Sequence, residues 1–390
     1  MNQGQTVLSQ IVSYLSKYEF NKCVLRYDGD HRVRSFTCWE QYLVMSFAQL
    51  TYRDSLRDIE SCLGAMGKKL YHSGIRSHIS RSTLADANEN RDWRIYFDFA
   101  SGLIEEARKL YSTDSTFTID IDNLVYAFDS TTIDLCLTLF PWATFRKAKG
   151  AIKLHTQLDL RGSIPTCVHI TSGDVHDVNA LDILQFEPGA IYILDRGYTD
   201  FQRLNVIDEA KSYFVIRAKD NLNFKRIDSR KPDKYLGILL DQRVLLNGYY
   251  SSIDYPNKIR RIKFKDPETN ESYVYLTNHM ELSAITVADL YKQRWKIELF
   301  FKWIKQHLKI KSFYGTSPNA VYTQVWIAIS NYLLIAIMKK KLKLPQSLHS
   351  ILQVLSLTLF ERTAIAKLFH GLKSTEFPNS NPNQLIIFDI

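Results

Sequence analysis

Two rhythms of apolar and polar positions divide the chain. Up to about residue 120, apolar residues return every three to four positions in Leu8–Leu15, Trp39–Leu50 and Ser55–Met66, and each run predicts an amphipathic helix. Asp54 or Ser55 is placed to cap the third and Gly67 to end it. After a loop through Gly74, SRSTLADANENRDW predicts another helix starting near Ser80–Ser82. Two short helices around a glycine-containing turn suit a helix-turn-helix, and equally a helical packing domain. The Ser, Thr and Asp of Leu110–Phe117 mark a boundary. Beyond it the runs Val125–Phe128, Lys153–Leu160, Ile164–Ile170, Ile191–Leu194 and Tyr213–Arg217 predict strands, with helices at Val178–Phe186 and Phe201–Ala210. Three strands able to meander, followed by strands alternating with helices, indicate an α/β fold with a mixed sheet and helices on its faces.

The second half adds three features. NFKRI, GILLDQRVLL, KIRRIKFK and SYVYLTN, between Asn221 and Asn278, alternate apolar with basic residues and predict a β-rich insertion. Tyr291–Lys305 (YKQRWKIELFFKWIK) lacks Pro and Gly and predicts one helix. At about 100° per residue, Tyr291, Arg294, Glu298 and Lys305 fall within roughly 60° of arc. They border an apolar stripe of Leu290, Ile297, Phe301, Ile304 and Leu308. Ala320–Met338 is long enough to span a membrane, but Thr323, Gln324, Ser330 and Asn331 interrupt it, which favours a buried core helix.

Composition narrows the partners. A chain of 390 residues that is 45% hydrophobic can bury the cores of two or three domains. Its net charge is +9, and Asp200–Lys311 carries 22 Lys and Arg against 14 Asp and Glu, hence +8 of that excess. Such a bias suits a polyanion, although an anionic membrane surface or plain solubility would also account for it. Five cysteines (Cys23, Cys38, Cys62, Cys136, Cys167) without a CxxC pair fit reduced cytosolic thiols and not a structural zinc site. The polar, uncharged Met1–Gln10 predicts no signal peptide.

Two predicted strands run directly into an aspartate: VYAF into Asp129 and IYIL into Asp195. Carboxylates at such strand ends lie where open α/β sheets present ligands, although each also suits the start of a turn. Glu298, next to the cations Arg294 and Lys305, is a third acid at a core element; the alternative for Arg294 and Glu298 is an ordinary i, i+4 surface pair. Hard divalent cations take oxygen ligands of this kind. Two such ions about 3.5–4 Å apart would activate a hydroxyl and stabilise the leaving oxygen in phosphodiester transfer.

Asp129 in AFDSTT, Asp195 in LDRGY and the pattern Tyr291–x2–Arg294–x3–Glu298–x6–Lys305 together resemble the DDE transposases of the insertion sequence 4 family. The likeness extends through FPWATFRKAKGAIKLHTQLDLRG and FKWIKQHLKIKSFYGTS, over about residues 5 to 365. It implies an RNase H-like core with Asp129, Asp195 and Glu298 as catalytic metal ligands for Mg²⁺, or Mn²⁺. Arg294 and Lys305 would then bind phosphate and Tyr291 would position the terminal nucleotide. Further implications are nicking at terminal inverted repeats, a hairpin intermediate and joining to target DNA. They include a synaptic homodimer on double-stranded DNA, no membrane, and a bacterial cytoplasmic, nucleoid-associated setting. The domains expected are a helical DNA-binding domain over 1–118, the core over 119–220 and 281–372, the β-rich insertion over 221–280, and a tail over 373–390. The insertion's Arg260, Arg261 and Lys263, with Lys225, Arg226, Lys258 and Lys265, are expected on DNA; the alternative is an edge sheet blunted by charge. His176 and Asp177, in GDVHDV, are placed to contact DNA or metal but read more simply as a loop cap, and Trp295 and Trp303 read as helix packing in preference to base stacking. Two other functions stay open: a nuclease without strand transfer, and a DNA-binding protein that has lost catalysis.

Overall fold

The computed structural model describes residues 5–76, 78–112, 119–146, 149–307, 310 and 312–370. Much of the Leu110–Phe117 boundary, Leu308 and the expected tail lie outside them. The first helices are α1 (Val7–Val12), α2 (Lys17–Arg26), α3 (Cys38–Leu50), α4 (Leu56–Met66), α5 (Arg81–Asn90) and α6 (Arg94–Tyr111). Local sequence fixes their ends: Ser55 Oγ accepts from Asp58 N at the start of α4, and Gly67 closes it with φ 49°. Ser80 caps α5 in the same way, through Thr83 N.

The strands that follow are β1 (Val125–Leu135), β2 (Thr144–Arg146), β3 (Lys149–Asp159), β4 (Ile164–Ser172), β5 (Ile191–Leu194) and, after α7 (Phe201–Glu209), β6 (Tyr213–Arg217). The helix expected at Val178–Phe186 is a 3₁₀ stretch, Asp177–Ile183, with Leu184 N bonded to Leu181 O at 3.2 Å. Antiparallel pairs join β1 to β3 and β3 to β4, and parallel pairs join β1 to β5 and β5 to β6. The resulting order β4-β3-β1-β5-β6, in which only β3 runs against the rest, is the RNase H-like arrangement the resemblance implies. Its strands are apolar where sheet faces are covered: Val125–Phe128 and Ile191–Leu194 are fully buried.

The basic runs extend this same sheet. β7 (Phe224–Arg230), β8 (Ile238–Leu246), β9 (Ile259–Lys265) and β10 (Ser272–Thr277) add in the order β6-β10-β9-β8-β7, with a short helix α8 (Tyr249–Asp254) between β8 and β9. Next come α9 (Ala284–Lys292), α10 (Trp295–His307), α11 (Pro318–Lys341), α12 (Leu348–Thr358) and α13 (Ile365–Leu368). The helix expected over Tyr291–Lys305 is therefore two. Gln293 N and Arg294 N bond to carbonyls three residues back, at 3.0 Å each, and this tightened turn ends α9 and starts α10.

The chain divides into two compact units: Ile104–Lys305 with Thr316–Pro318, which holds the sheet, and a helical unit of Met1–Leu103, Gln306–Gly315 and Asn319–Ile390. In the helical unit α3 is buried along its whole length and α11 from Ala320 to Met338, except for Tyr322, which is half-buried. Three of the buried polar residues of α11 are bonded: Asn331 Nδ2 donates to Gln49 Oε1 at 2.8 Å, Gln324 Nε2 to Ser312 O at 2.9 Å and Ser330 Oγ to Trp326 O at 2.9 Å. This long apolar helix lies inside the protein, as its polar interruptions predict. All five cysteines are free thiols.

Candidate active site

Strand register brings the two aspartates together. Parallel pairing of β1 with β5 ends at Phe128 opposite Leu194, so Asp129 and Asp195 are the next residues on neighbouring chain segments. Asp129 does not end its strand, as VYAF–DST suggests; β-branched Thr131, Thr132 and Ile133 carry β1 on to Leu135 against β3. It is β5 that stops. Asp195 leaves the sheet and caps the 3₁₀ turn Arg196–Tyr198, accepting from Gly197 N at 3.4 Å.

The α9–α10 turn supplies the rest. Arg294 Nη1 donates to Asp129 Oδ2 at 2.9 Å, and its Nη2 to Glu298 Oε1, one helical turn on. Tyr291 Oη reaches Asp195 Oδ1 at 3.5 Å, the limit of a hydrogen bond. Lys305 Nζ donates to Thr132 O on β1, at 2.7 Å. Tyr291, Arg294 and Glu298 thus meet Asp129, Asp195 or each other, and Lys305 meets the β1 backbone three residues beyond Asp129. Ile297 and Ile304 are buried and fix the helix; Glu298 stays partly exposed beside them. Trp303 is buried too, whereas Trp295 is 41% exposed.

Burial dominates the electrostatics. It raises the Asp129 carboxyl to about 6; Arg294 opposes the shift, while Asp195 and Glu298 add to it, so the three acids feel one another. Burial also lifts the Tyr291 phenol to about 12, keeping it a neutral donor, with Arg294 again opposing and Asp195 adding. For Arg294, burial pulls down, but Tyr291 and the carboxylates around it leave its pKa above the usual guanidinium value. Among the described residues, no three His, Cys, Asp or Glu side chains are gathered closely enough to enclose a metal in this arrangement. The guanidinium stands between Asp129 and Glu298 instead. Two carboxylates converging on one cation are nonetheless a hard-oxygen set that suits a divalent ion.

A neighbouring network was not legible in the sequence. Ser130 Oγ donates to Asp177 Oδ1 at 2.8 Å, and Lys153 Nζ pairs with the same oxygen at 3.1 Å. Asp177 thus does more than cap a loop, while His176 only precedes the 3₁₀ turn and makes no capping bond. Tyr275 packs on Tyr291 with ring centroids 4.7 Å apart, and Arg217 lies 5.0 Å over Tyr273 on the same strand as Tyr275. The alternation of SYVYLT could have placed both tyrosines on one face.

The basic insertion divides. Arg260, expected on DNA, is buried at 1% exposure in a two-pronged pair with Asp241 at 2.8 and 2.7 Å, and also donates to Leu282 O. That is a correction: Arg260 shares strand parity with buried Ile262 and Phe264, so it faces the core. Arg261 is half-buried, donating to Gln242 Oε1 at 3.2 Å and lying over Phe224, and Lys263 is half-buried beside it. Lys225, Arg226, Lys258 and Lys265 are exposed.

Comparison with known proteins gives concordant matches. The family "Transposase DDE domain" matches residues 121–334, and the domain of unknown function DUF4372 matches residues 3–76. A Sinorhizobium fredii protein, y4zB, named as a transposase, is 30% identical over 73% of this chain and 78% of its own. A Geobacillus stearothermophilus protein named as a transposase for insertion sequence element IS5377 is 32% identical over 53% of this chain and 54% of its own. A Synechocystis protein named for insertion sequence element IS4SA is 23% identical over 72% and 77%. Among solved structures, the piggyBac transposase synaptic complex with hairpin DNA aligns with 90% of this chain and 77% of its own at a TM-score of 0.43 and 12% identity, too distant to bear on function.

Proposed function

The chain belongs to the transposase DDE-domain family, and on that premise we propose that Asp129, Asp195 and Glu298 form the active site at which it cuts and joins the ends of an insertion sequence. The observation that carries this reading is the convergence of Asp129 and Glu298 on one guanidinium, with Asp195 alongside in register and linked through Tyr291. Side chains from β1, the end of β5 and α9–α10 meet only because the chain folds this way.

DDE transposases generally use divalent metal ions, and we assign the three acids as ligands for Mg²⁺, with Mn²⁺ as a substitute. When bound, such an ion would polarise the scissile phosphate and lower the pKa of the attacking hydroxyl. The chain's own residues then do the following. Arg294, a permanently charged fork, suits two oxygens of a phosphate better than an ammonium would. Lys305, held near β1 by Thr132, supplies a point charge on the same side. Tyr291, un-ionised at neutral pH, donates a hydrogen bond and offers a ring face to the terminal nucleotide. Exposed Lys225, Arg226, Lys258 and Lys265, with half-buried Arg261 and Lys263, line the insertion as a sequence-independent phosphate surface. Residues 1–118 are assigned to recognition of the terminal inverted repeats, with α5 as the helix presented to DNA. Cut-and-paste transfer through a hairpin, by a synaptic homodimer, completes the proposal.

The test uses duplexes carrying the sequences that flank the gene, with purified chain and Mg²⁺. Cleavage that requires the metal, a hairpin on the cut end and joining to a second DNA are expected. Cut products that never join would leave a nuclease, and cleavage by a variant lacking all three acids would remove the site.

A further inference from the structure

Arg294, expected to hold phosphate, is engaged here with two of the three acids. Its two terminal nitrogens go to different carboxylates, Asp129 at 2.9 Å and Glu298 on the next turn, and its side chain is 19% exposed. A divalent ion bridging Asp129 and Glu298 in the gap that the guanidinium now fills would meet its positive charge at contact distance, so the two cations compete for that position. Asp195 takes no part in the fork; it accepts from Gly197 N at 3.4 Å and meets Tyr291 Oη at 3.5 Å. The set of three acids is therefore incomplete while the guanidinium stays.

Arg294 is also placed to leave. It sits in the i→i+3 turn between α9 and α10, not inside a helix, and such tightened turns mark hinges. A phosphate diester offers the fork the same planar pair of anionic oxygens that the carboxylates do. We infer that Arg294 is a resident counter-ion occupying the cation position between Asp129 and Glu298, released by DNA phosphate so that the divalent ion binds more tightly once substrate is in place. This deepens the reading of the acids as metal ligands and rests on it. Arg294 is on this account a positioning residue that couples the two ligands. Coupling is reciprocal: whatever factor DNA adds to metal affinity, metal adds to DNA affinity. An enzyme built this way holds its cutting metal more weakly away from DNA than on it.

Mn²⁺ binding to the full-length chain, followed by calorimetry, tests it without any turnover. Arg294→Gln, free of DNA, should bind Mn²⁺ about tenfold more tightly than wild type, the scale of ordinary site-to-site coupling. Adding a duplex with the gene's flanking sequences should tighten wild type by a similar factor and Arg294→Gln by much less. Equal or weaker Mn²⁺ binding by folded Arg294→Gln overturns the inference. Should that variant unfold, wild type decides: an Mn²⁺ affinity unchanged by duplex overturns it as well. Asp129→Asn separates the two layers. If it abolishes Mn²⁺ binding while Arg294→Gln gives no tightening, the acids remain metal ligands and only the latch fails. If Asp129→Asn binds Mn²⁺ like wild type, the metal-site reading fails and the latch with it.

Discussion

Asp129 and His155 stand one register step apart on β1 and β3, and burial acts on them in opposite senses. It raises the Asp129 carboxyl to about 6 and lowers the His155 imidazole to about 4. His155 is fully buried; its Nε2 meets Thr171 Oγ1 at 2.9 Å, and its Nδ1 has no hydrogen-bond partner. Its folded pKa lies below its ordinary 6.5, so stability is full above pH 6.5 and falls as the unfolded chain takes up the proton, down to about pH 4. The loss across that window is on the order of 3 kcal/mol, with little more below it. Chemical denaturation at pH 7, 5.5 and 4 should follow this slope in wild type and flatten in His155→Gln. Identical slopes would show that His155 does not set the pH dependence of stability. Asp129 was visible in the sequence because an acid directly follows an apolar run, whereas His155 was not and Asp177 read only as a loop cap. Their partners, Thr171, Ser130 and Lys153, are set by the β1–β3–β4 register, which no local pattern encodes.

At the scale of elements, the buried pair of Arg260 with Asp241 sets a second expectation. Breaking such a pair strands one charge inside the protein. Arg260→Leu should therefore cost about 3–5 kcal/mol in denaturant unfolding, and the double change with Asp241→Leu should recover most of it. Lys225→Ala and Arg226→Ala, on the exposed edge strand β7, should leave stability within about 0.5 kcal/mol of wild type. They should lower DNA affinity and flatten its salt dependence by about one unit of slope each. Unchanged affinity and slope would return β7 to the role of a charged edge. The strand runs themselves were plain from alternation, and parity with Ile262 and Phe264 carried the information about Arg260. The break at Gln293–Arg294 was not legible, since no Pro or Gly marks it. Arg294 is drawn to an acid from a distant strand, and that is a tertiary demand.

Over the whole molecule, hydrophobic pattern and motif spacing were informative for different things. Which runs were short, apolar and separated by helices indicated a mixed sheet, whereas the order β4-β3-β1-β5-β6 is the RNase H-like one that only the resemblance implied. The polar residues within Ala320–Met338 distinguished a core helix from a membrane span, although their partner Gln49 lies 282 residues before Asn331. Asn331→Leu should strand the Gln49 amide and cost about 1–3 kcal/mol, read as a lower thermal midpoint. The proposal that three acids brought from separate elements form one metal-dependent cutting site on DNA requires each of them for cleavage. Its most direct test is Mg²⁺-dependent cleavage of a duplex bearing the gene's flanking ends by wild type, Asp129→Asn, Asp195→Asn and Glu298→Gln, with DNA binding measured in parallel. Cleavage lost in each variant while binding stays near wild type is the result predicted; full cleavage by any folded variant would contradict it.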